Sequence, residues 1–146
     1  MLNRAAFALA LGLTLAACQK APPAGEASPA PGAEAKSSIP ELSVTDVATL
    51  VQSKAATVVD ANDNDTRKEQ GIVPGAVLLS SREYAVSELP AAKDTKLVFY
   101  CGGTACRSSD KAAQRASEAG YADVAVMRAG IRGWKSAGQQ TATPQS

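Results

Sequence analysis

A cysteine follows an apolar run in the second half of the chain and opens a short polar loop. The residues after Leu97–Tyr100 are Cys101, Gly102, Gly103, Thr104, Ala105, Cys106, Arg107 and Ser108. Cysteine reacts as its thiolate, and the pKa of a thiol falls beside a helix N-terminus or a cation. Backbone N–H groups of such a loop can converge on an anion, and the two glycines allow the backbone angles that this requires. The pattern therefore predicts Cys101 as a nucleophile and residues 102–108 as an anion site, to which Arg107 adds a permanent positive charge.

The cysteine and histidine content restricts the chemistry further. The chain has three cysteines and no histidine, which excludes Ser–His and Cys–His catalysis. Two loop thiols cannot supply the four ligands of an ordinary zinc site, so we expect no metal and no other cofactor. In an oxidising compartment Cys101 and Cys106 could form a disulfide. Its ring would be short, and could be strained and easily reduced.

Apolar periodicity and turn residues predict alternating helices and strands around this loop. Strands are predicted at 57–60, 76–79, 96–100 and 123–127, and helices at 45–52, 62–70, 83–89, 109–119 and 131–137. The alternation predicts an α/β fold in which helices cover both faces of a parallel sheet. Ligands of such sheets bind beyond the carboxyl ends of the strands. Cys101 is therefore predicted to lie where a ligand would bind.

Six further side chains in and around these elements are considered for structural roles. Thr45 is predicted to cap the first helix, and either Ser108 or Ser109 to cap the helix after the loop. Ser109 is also a candidate contact for a bound oxyanion. We expect Asp60 to brace the loop after its strand, Trp134 to lie in the core or in the wall of a groove, and Arg67 to be a solvated helix charge.

The first residues have the pattern of a bacterial export signal. Residues 1–17 carry a positive charge at Arg4 and an apolar stretch that is too short for a stable membrane span. They lead into Leu15-Ala16-Ala17-Cys18, which resembles a lipobox. Such a site is cleaved before its cysteine, so we expect Cys18 to carry lipid, including palmitate, and to anchor the chain in a membrane. Because Gln19 rather than Asp follows, we expect the outer membrane, on the side that faces the periplasm.

One domain is predicted between two polar segments. Residues 18–40 are rich in Ala, Pro, Gly, Ser and Glu and are expected to form a disordered, lipid-anchored linker. The tail 138–146 is also expected to be disordered, which leaves residues 41–137 for a single core. The full chain has 15 basic and 14 acidic residues, and removal of residues 1–17 would leave 14 of each. This balance argues against a nucleic-acid partner.

Three parts of this domain occur together, in the same order and spacing, in one known family. They are Val58-Val59-Asp60 with Gly71-Ile72-Val73-Pro74-Gly75-Ala76, Val98-Phe99-Tyr100-Cys101 with Lys111-Ala112-Ala113, and Gly120-Tyr121 with Ala129-Gly130-Ile131-Arg132-Gly133-Trp134. Together they resemble the rhodanese-like domains, which are sulfurtransferases, over residues 41–137. The resemblance implies that sulfur moves from a small anionic donor such as thiosulfate onto Cys101, as a persulfide, and then onto cyanide or a thiol. It also implies that the loop N–H groups hold the anion and that Arg107 attracts it.

The chain departs from the family pattern at three places. Ile72 replaces the usual His, Asn62 stands where Arg is common, and the loop is longer and carries Cys106. A variant subgroup with Cys-x4-Cys loops resembles it most. These departures weaken the transfer of substrate preference and leave the implied fold unchanged.

Two other functions are compatible with the same residues. The spacing Cys101-x5-Arg107-Ser108 resembles the loop of cysteine phosphatases and arsenate reductases, although Tyr100 replaces the His that usually precedes the nucleophile. The domain could instead be a thiol redox module or a non-catalytic binding module, with the Cys101–Cys106 pair as its functional state, because a fold does not determine function.

Overall fold

The computed structural model of the protein describes residues 38–144. The predicted signal peptide (1–17), the predicted lipidation site Cys18 and the linker up to residue 37 lie outside this range, as do residues 145 and 146. Among the described residues, no helix has the length and apolar character that crossing a membrane requires.

Four parallel strands form one sheet in the described part of the chain. In chain order they are β1 (Thr57–Asp60), β2 (Val77–Leu78), β3 (Leu97–Tyr100) and β4 (Val124–Met127), and their spatial order is β2-β1-β3-β4. The last residue of β1 pairs with the last residues of both β2 and β3, and the last residues of β3 and β4 also pair. The carboxyl ends of the four strands therefore meet at one edge of the sheet.

Helices connect these strands. They are α1 (Val44–Gln52), α2 (Asn64–Gln70), α3 (Ser108–Glu118) and α4 (Gly130–Ser136), and a short 3₁₀ helix at Val86–Glu88 stands where a helix over 83–89 was predicted. The predicted α/β fold with a parallel sheet is confirmed. The other predicted bounds are correct to within one or two residues.

The predicted helix caps are wrong in two places. Ser43, and not Thr45, caps α1, because Ser43 and Asp46 form a reciprocal capping box. Arg107 occupies the N-cap position of α3 without a capping side-chain bond, so Ser108 and Ser109 are the first residues of the helix rather than its cap.

Helices cover both faces of the sheet because side chains along each strand alternate between two apolar layers. One layer contains Val59, Phe99 and Val126 of the sheet and Ala112, Ala113 and Ala116 of α3. The other layer contains Val58, Val98 and Ala125 of the sheet, Val47 of α1, and Ile131 and Trp134 of α4. Trp134 therefore lies in the core, as predicted.

Arg67 is buried, with only 5% of its surface exposed, so the prediction of a solvated charge is wrong. Its Nε donates to the Asp60 carboxylate at 3.3 Å, and its Nη2 donates to the backbone oxygens of Asp60 and Leu79 at 3.1 and 2.9 Å. The guanidinium thereby ties the end of β1 to the segment after β2. A charge buried in this way is tolerated because it is both paired and hydrogen-bonded.

Asp60 braces the turn after β1, as predicted. Its carboxylate accepts hydrogen bonds from the Asn62 N–H, at 2.7 Å, and from the Tyr100 hydroxyl. The Tyr100 oxygen in turn accepts from the Val73 N–H at 3.0 Å. This buried network fixes the end of β3 immediately before Cys101.

The predicted disordered tail is not observed over residues 138–144. Ile72 and Ala142 exchange two backbone hydrogen bonds of 2.9 Å, and the Trp134 indole donates to the Gln140 oxygen at 2.7 Å. At the other end, Pro40, which was assigned to the linker, accepts a hydrogen bond from the Val126 N–H at 2.9 Å. Backbone pairing of this kind leaves no apolar signal in the sequence, which explains both differences.

Candidate active site

A cleft of about 890 Å³ opens at the carboxyl ends of the strands. The segment that follows each strand contributes to its lining: residues 61–63 after β1, 80–82 after β2, 102–106 after β3, and 129 with 132–133 after β4. This is the edge at which parallel α/β sheets bind ligands. The structure brings residues 102–106 and Ser108 to the cleft, next to the position predicted for the nucleophile.

Cys101 is 1% exposed at the end of β3. Its Sγ lies 3.3 Å from Ser109 Oγ and donates to the Cys106 backbone oxygen at 3.4 Å. Burial and the hydrogen bond with the Cys106 thiol raise the pKa of Cys101, and bonds from the Ser109 hydroxyl and N–H offset part of that rise. Ser109 is therefore the group placed to stabilise the Cys101 thiolate.

Cys106, the second thiol of the loop, is also free, and its pKa shifts in the opposite direction from that of Cys101. Burial raises its pKa, but hydrogen bonds with the Cys101 thiol and with the Ser108 and Gly102 N–H groups outweigh burial and lower the pKa of Cys106. Its own N–H donates to the Gly103 oxygen at 2.9 Å and closes a tight turn. The Cys106 sulfur thus lies against two loop N–H groups that the sequence pattern assigns to a bound anion.

The start of α4 holds the backbone of the loop. The Ile131 N–H donates to the Cys101 oxygen at 2.9 Å, and the Arg132 N–H donates to the Gly102 oxygen at 3.3 Å. Gly130 has a φ of +61°, and a Cβ there would lie 2.4 Å from the Cys101 oxygen and 2.5 Å from the Gly103 nitrogen. Only glycine combines this backbone angle with so close an approach.

Arg107, which was predicted to attract the anion, does not line the main cleft. Its side chain is 69% exposed, and its Nη1 pairs with Asp110 Oδ2 at 2.9 Å. It lines a smaller depression of about 250 Å³ instead. Arg132 lines the main cleft, and Arg82 lines both. Neither arginine was predicted from the sequence, although each follows a strand of the sheet and could have been found from the convergence of strand ends.

Asn62 is a further cleft residue that was not assigned to the site. Its Oδ1 lies 3.7 Å from the position that a Gly102 Cβ would take. Its Nδ2 is buried and has no hydrogen-bond partner in residues 38–144. A buried donor without a partner costs roughly 1–3 kcal/mol, so Nδ2 is available to an atom bound beside the loop.

The polar groups of the cleft suit an anion better than a metal ion. In the part of the chain that the structure describes, no group of three or more His, Cys, Asp or Glu side chains is arranged to hold a metal. Asp63 lines the cleft, but its carboxylate caps α2 by accepting from the Thr66 N–H at 2.7 Å. The remaining polar lining includes loop N–H groups, the Asn62 amide and the arginines Arg82 and Arg132.

A family model for the rhodanese-like domain matches residues 43–137, which is more than half of the chain. This protein belongs to the rhodanese family. The matched region contains all of the loop from Cys101 to Ser108 and the α4 start that holds it. No match was found among curated proteins.

Solved structures with the same fold differ in the chemistry that their names describe. A thiosulfate sulfurtransferase from Pseudomonas aeruginosa is 28% identical with a TM-score of 0.64, over 77% of this chain and 22% of that one. A Rhodopseudomonas palustris protein of unknown function, described as a possible tyrosine phosphatase, is 29% identical with a TM-score of 0.59, over 74% of this chain and 88% of that one. A rhodanese-like domain from Anabaena sp. is similar in fold. It is 22% identical with a TM-score of 0.59, over 70% of this chain and 77% of that one. The site geometry must therefore decide between these chemistries.

Proposed function

We propose that this domain is a sulfurtransferase that takes sulfur from a small anionic donor such as thiosulfate as a persulfide on Cys101 and passes it to a thiol acceptor. The observation that carries the proposal is the position of Cys101, which follows β3 directly and precedes the cleft-lining residues 102–106, with its Sγ 3.3 Å from Ser109 Oγ. The cations and amide donors of the cleft suit an anionic donor, and the likeness to a thiosulfate sulfurtransferase supports the same chemistry.

In the first step the Cys101 thiolate attacks the outer sulfur of thiosulfate. The sulfur–sulfur bond of the donor breaks, sulfite leaves with its electron pair, and a persulfide forms on Cys101. Ionisation of Cys101 is the costly part, because burial raises its pKa. The Ser109 hydroxyl and N–H stabilise the thiolate, while loop N–H groups and Arg132 stabilise the charge on the donor and on the departing sulfite.

In the second step an acceptor thiolate, or cyanide, attacks the terminal sulfur of the persulfide. The Cys101–sulfur bond breaks, and its electron pair returns to Cys101 as a thiolate. The cleft has the size of sites that bind ligands much larger than thiosulfate. A low-molecular-weight thiol can therefore reach the loop from the same side as the donor.

Sulfite release from thiosulfate in a single turnover tests the proposal. We expect the full chain to release sulfite and expect Cys101→Ser to release none, because serine has no base beside it that could ionise its hydroxyl. Cys106→Ser provides the comparison, since it removes the other thiol of the loop and keeps a polar side chain. Sulfite release that survives in Cys101→Ser and disappears in Cys106→Ser would reverse the assignment of the nucleophile.

A second candidate function is that of a cysteine phosphatase or arsenate reductase. The Cys101-x5-Arg107 spacing and the likeness to a possible tyrosine phosphatase favour it. Such chemistry needs the arginine on the transferred oxyanion, and here Arg107 faces Asp110. Turnover of aryl phosphate or arsenate that Arg107→Ala and Arg107→Lys both abolish, without sulfite release from thiosulfate, would favour this function. A disulfide that persists without turnover of any of these substrates would favour the redox or binding module.

We also propose that the chain is a lipoprotein of the bacterial outer membrane, anchored through lipid on Cys18 and facing the periplasm. The proposal is supported by Leu15-Ala16-Ala17-Cys18 and by the polar segment behind it. Cys18→Ser is expected to release the chain from membranes or to leave its precursor uncleaved. Processing and membrane partitioning that are unchanged in this variant would overturn the proposal.

A further inference from the structure

The second thiol of the loop lies where it can react with sulfur held on the first. The Cys101 thiol donates to the Cys106 backbone oxygen at 3.4 Å, and each of the two thiols shifts the pKa of the other. The Gly103–Cys106 turn, closed by a backbone bond of 2.9 Å, keeps Cys106 folded back towards Cys101. The turn that carries the Cys106 sulfur therefore also holds the Cys106 backbone against the Cys101 sulfur.

The surroundings of Cys106 also favour its reaction as a thiolate. The Gly102 and Ser108 N–H groups and the Ser108 hydroxyl hydrogen-bond to its sulfur and lower the pKa of Cys106 although burial opposes them. A thiolate, and not a thiol, attacks a disulfide or persulfide sulfur. The Cys101 thiol also lowers the pKa of Cys106, and that contribution ends when Cys101 carries the transferred sulfur. The Ser108 and Gly102 donors do not depend on it and still favour the Cys106 thiolate in that state.

We propose that Cys106 is an internal acceptor, which attacks Cys101 Sγ in the persulfide and releases the transferred sulfur as hydrosulfide. This inference rests on the proposed sulfurtransferase function. The bond between Cys101 Sγ and the terminal sulfur breaks, and a Cys101–Cys106 disulfide bond forms. The terminal sulfur leaves with the electron pair of the broken bond as HS⁻. The Cys106 sulfur is oxidised and the terminal sulfur is reduced, so no external oxidant is needed.

An internal acceptor changes the class of co-substrate that the domain needs. With Cys106 as acceptor, one thiosulfate yields one sulfite and one sulfide, and the domain is left oxidised. A further turnover requires an external dithiol that reduces the Cys101–Cys106 disulfide. The turn offers access to such a reductant, because Thr104 and Ala105 at its tip are exposed and Cys106 is only partly buried. The partner expected at this face is therefore a dithiol reductant rather than a sulfur-accepting thiol.

The experiment follows the fate of the sulfur that is taken up. The full chain carries Cys18→Ser, so that the two loop cysteines are its only thiols, and is mixed anaerobically with thiosulfate after all reductant has been removed. Sulfite, sulfide and intact mass are measured in this protein and in a matched protein that also carries Cys106→Ser. The ratio of sulfide to sulfite corrects for any difference in uptake between the two.

We expect a sulfide-to-sulfite ratio of about one for the protein with both loop thiols, and a final mass lower by two hydrogen atoms. With Cys106→Ser the ratio should fall at least about tenfold, and the mass should rise by one sulfur atom. A stable persulfide and no sulfide in the two-thiol protein would overturn the internal-acceptor role and leave the sulfurtransferase function standing. Equal sulfide release by both proteins would also overturn it. If neither protein releases sulfite from thiosulfate, and neither changes in mass with thiosulfate or with polysulfide, the proposed function and this inference are refuted together.

Discussion

Replacement of Gly130 by alanine tests how strongly the start of α4 determines the shape of the active loop. The new methyl group would lie 2.4 Å from the Cys101 oxygen and 2.5 Å from the Gly103 nitrogen. Both are backbone atoms, so no change of rotamer relieves the contact. Either the loop or α4 must move, and the bonds from Ile131 and Arg132 to the loop oxygens must lengthen.

The expected loss of stability has two parts. A φ of +61° costs a residue with a Cβ roughly 1–2 kcal/mol, and insertion of a methyl group into close-packed backbone costs roughly 1–3 kcal/mol more. The free energy of unfolding should therefore fall by about 2–5 kcal/mol, a large share of the roughly 5–15 kcal/mol of an ordinary domain. Sulfite release from thiosulfate should fall as well, because the displaced oxygens belong to Cys101, the proposed nucleophile, and to Gly102.

Gly138→Ala provides the matched control. Gly138 has a φ of +74° but no atom within 4 Å of its would-be Cβ, so this variant should lose only the roughly 1–2 kcal/mol of the backbone angle. Urea unfolding of both variants and of the parent measures the difference, and single-turnover sulfite release measures the effect on the site. If Gly130→Ala is no less stable than Gly138→Ala and releases sulfite at the parental rate, the proposed contact between α4 and the loop does not shape the site.

Three further outcomes are expected. Tyr100→Phe leaves the buried Val73 N–H without its acceptor and removes the hydroxyl that donates to Asp60 Oδ2, so the free energy of unfolding should fall by about 1–3 kcal/mol. An unchanged urea midpoint would contradict the role given to this network. Arg132→Ala should raise the KM for thiosulfate about tenfold, or about 1.4 kcal/mol, because Arg132 lines the main cleft. Arg107→Ala should change the KM less than about threefold, because Arg107 pairs with Asp110 outside that cleft. A larger effect of Arg107→Ala in steady-state kinetics would show that Arg107 binds the anion. Burial and, second to it, the hydrogen bond with the Cys106 thiol raise the pKa of Cys101. Cys106→Ala removes that hydrogen bond, so the pH at which sulfite release is half-maximal should move down. A midpoint that stays or rises would show that Cys106 does not raise the pKa of Cys101.

The fold and the position of Cys101 in it could be predicted because they depend on local patterns. Alternating apolar runs and turn residues indicate the strands, and a parallel sheet places the residue after β3 at the ligand-binding edge. Asp60 and Trp134 were assigned correctly for the same reason, since a strand end and an apolar helix face are visible in the sequence. The Ser43 cap was missed because Ser43 and Thr45 are both good caps, and only the reciprocal bond with Asp46 distinguishes them.

Some charged groups could not be placed from the sequence because their partners are far along the chain. Arg67 is buried against the Leu79 oxygen, which is 12 residues away. Asp110 receives both Arg107 and the more distant Arg128, at 2.9 and 2.7 Å, and this pairing keeps Arg107 out of the main cleft. The pair of Arg107 and Asp110 is only three residues apart and could have been predicted, whereas the contact of Asp110 with Arg128, after β4, could not.

The parallel order of the strands has a consequence for how this domain can diversify. Its cleft is built from the segments after the strands, whereas its two core layers are built from the strands and helices. Surface segments tolerate insertions and exchanges better than core elements do, so the segment at 80–82 can vary in length and charge with little effect on the sheet. The segments after β3 and β4 are different, because Gly130 meets loop backbone at 2.4 Å. Those two segments must change together, and a family that explores new substrates should alter them as a pair.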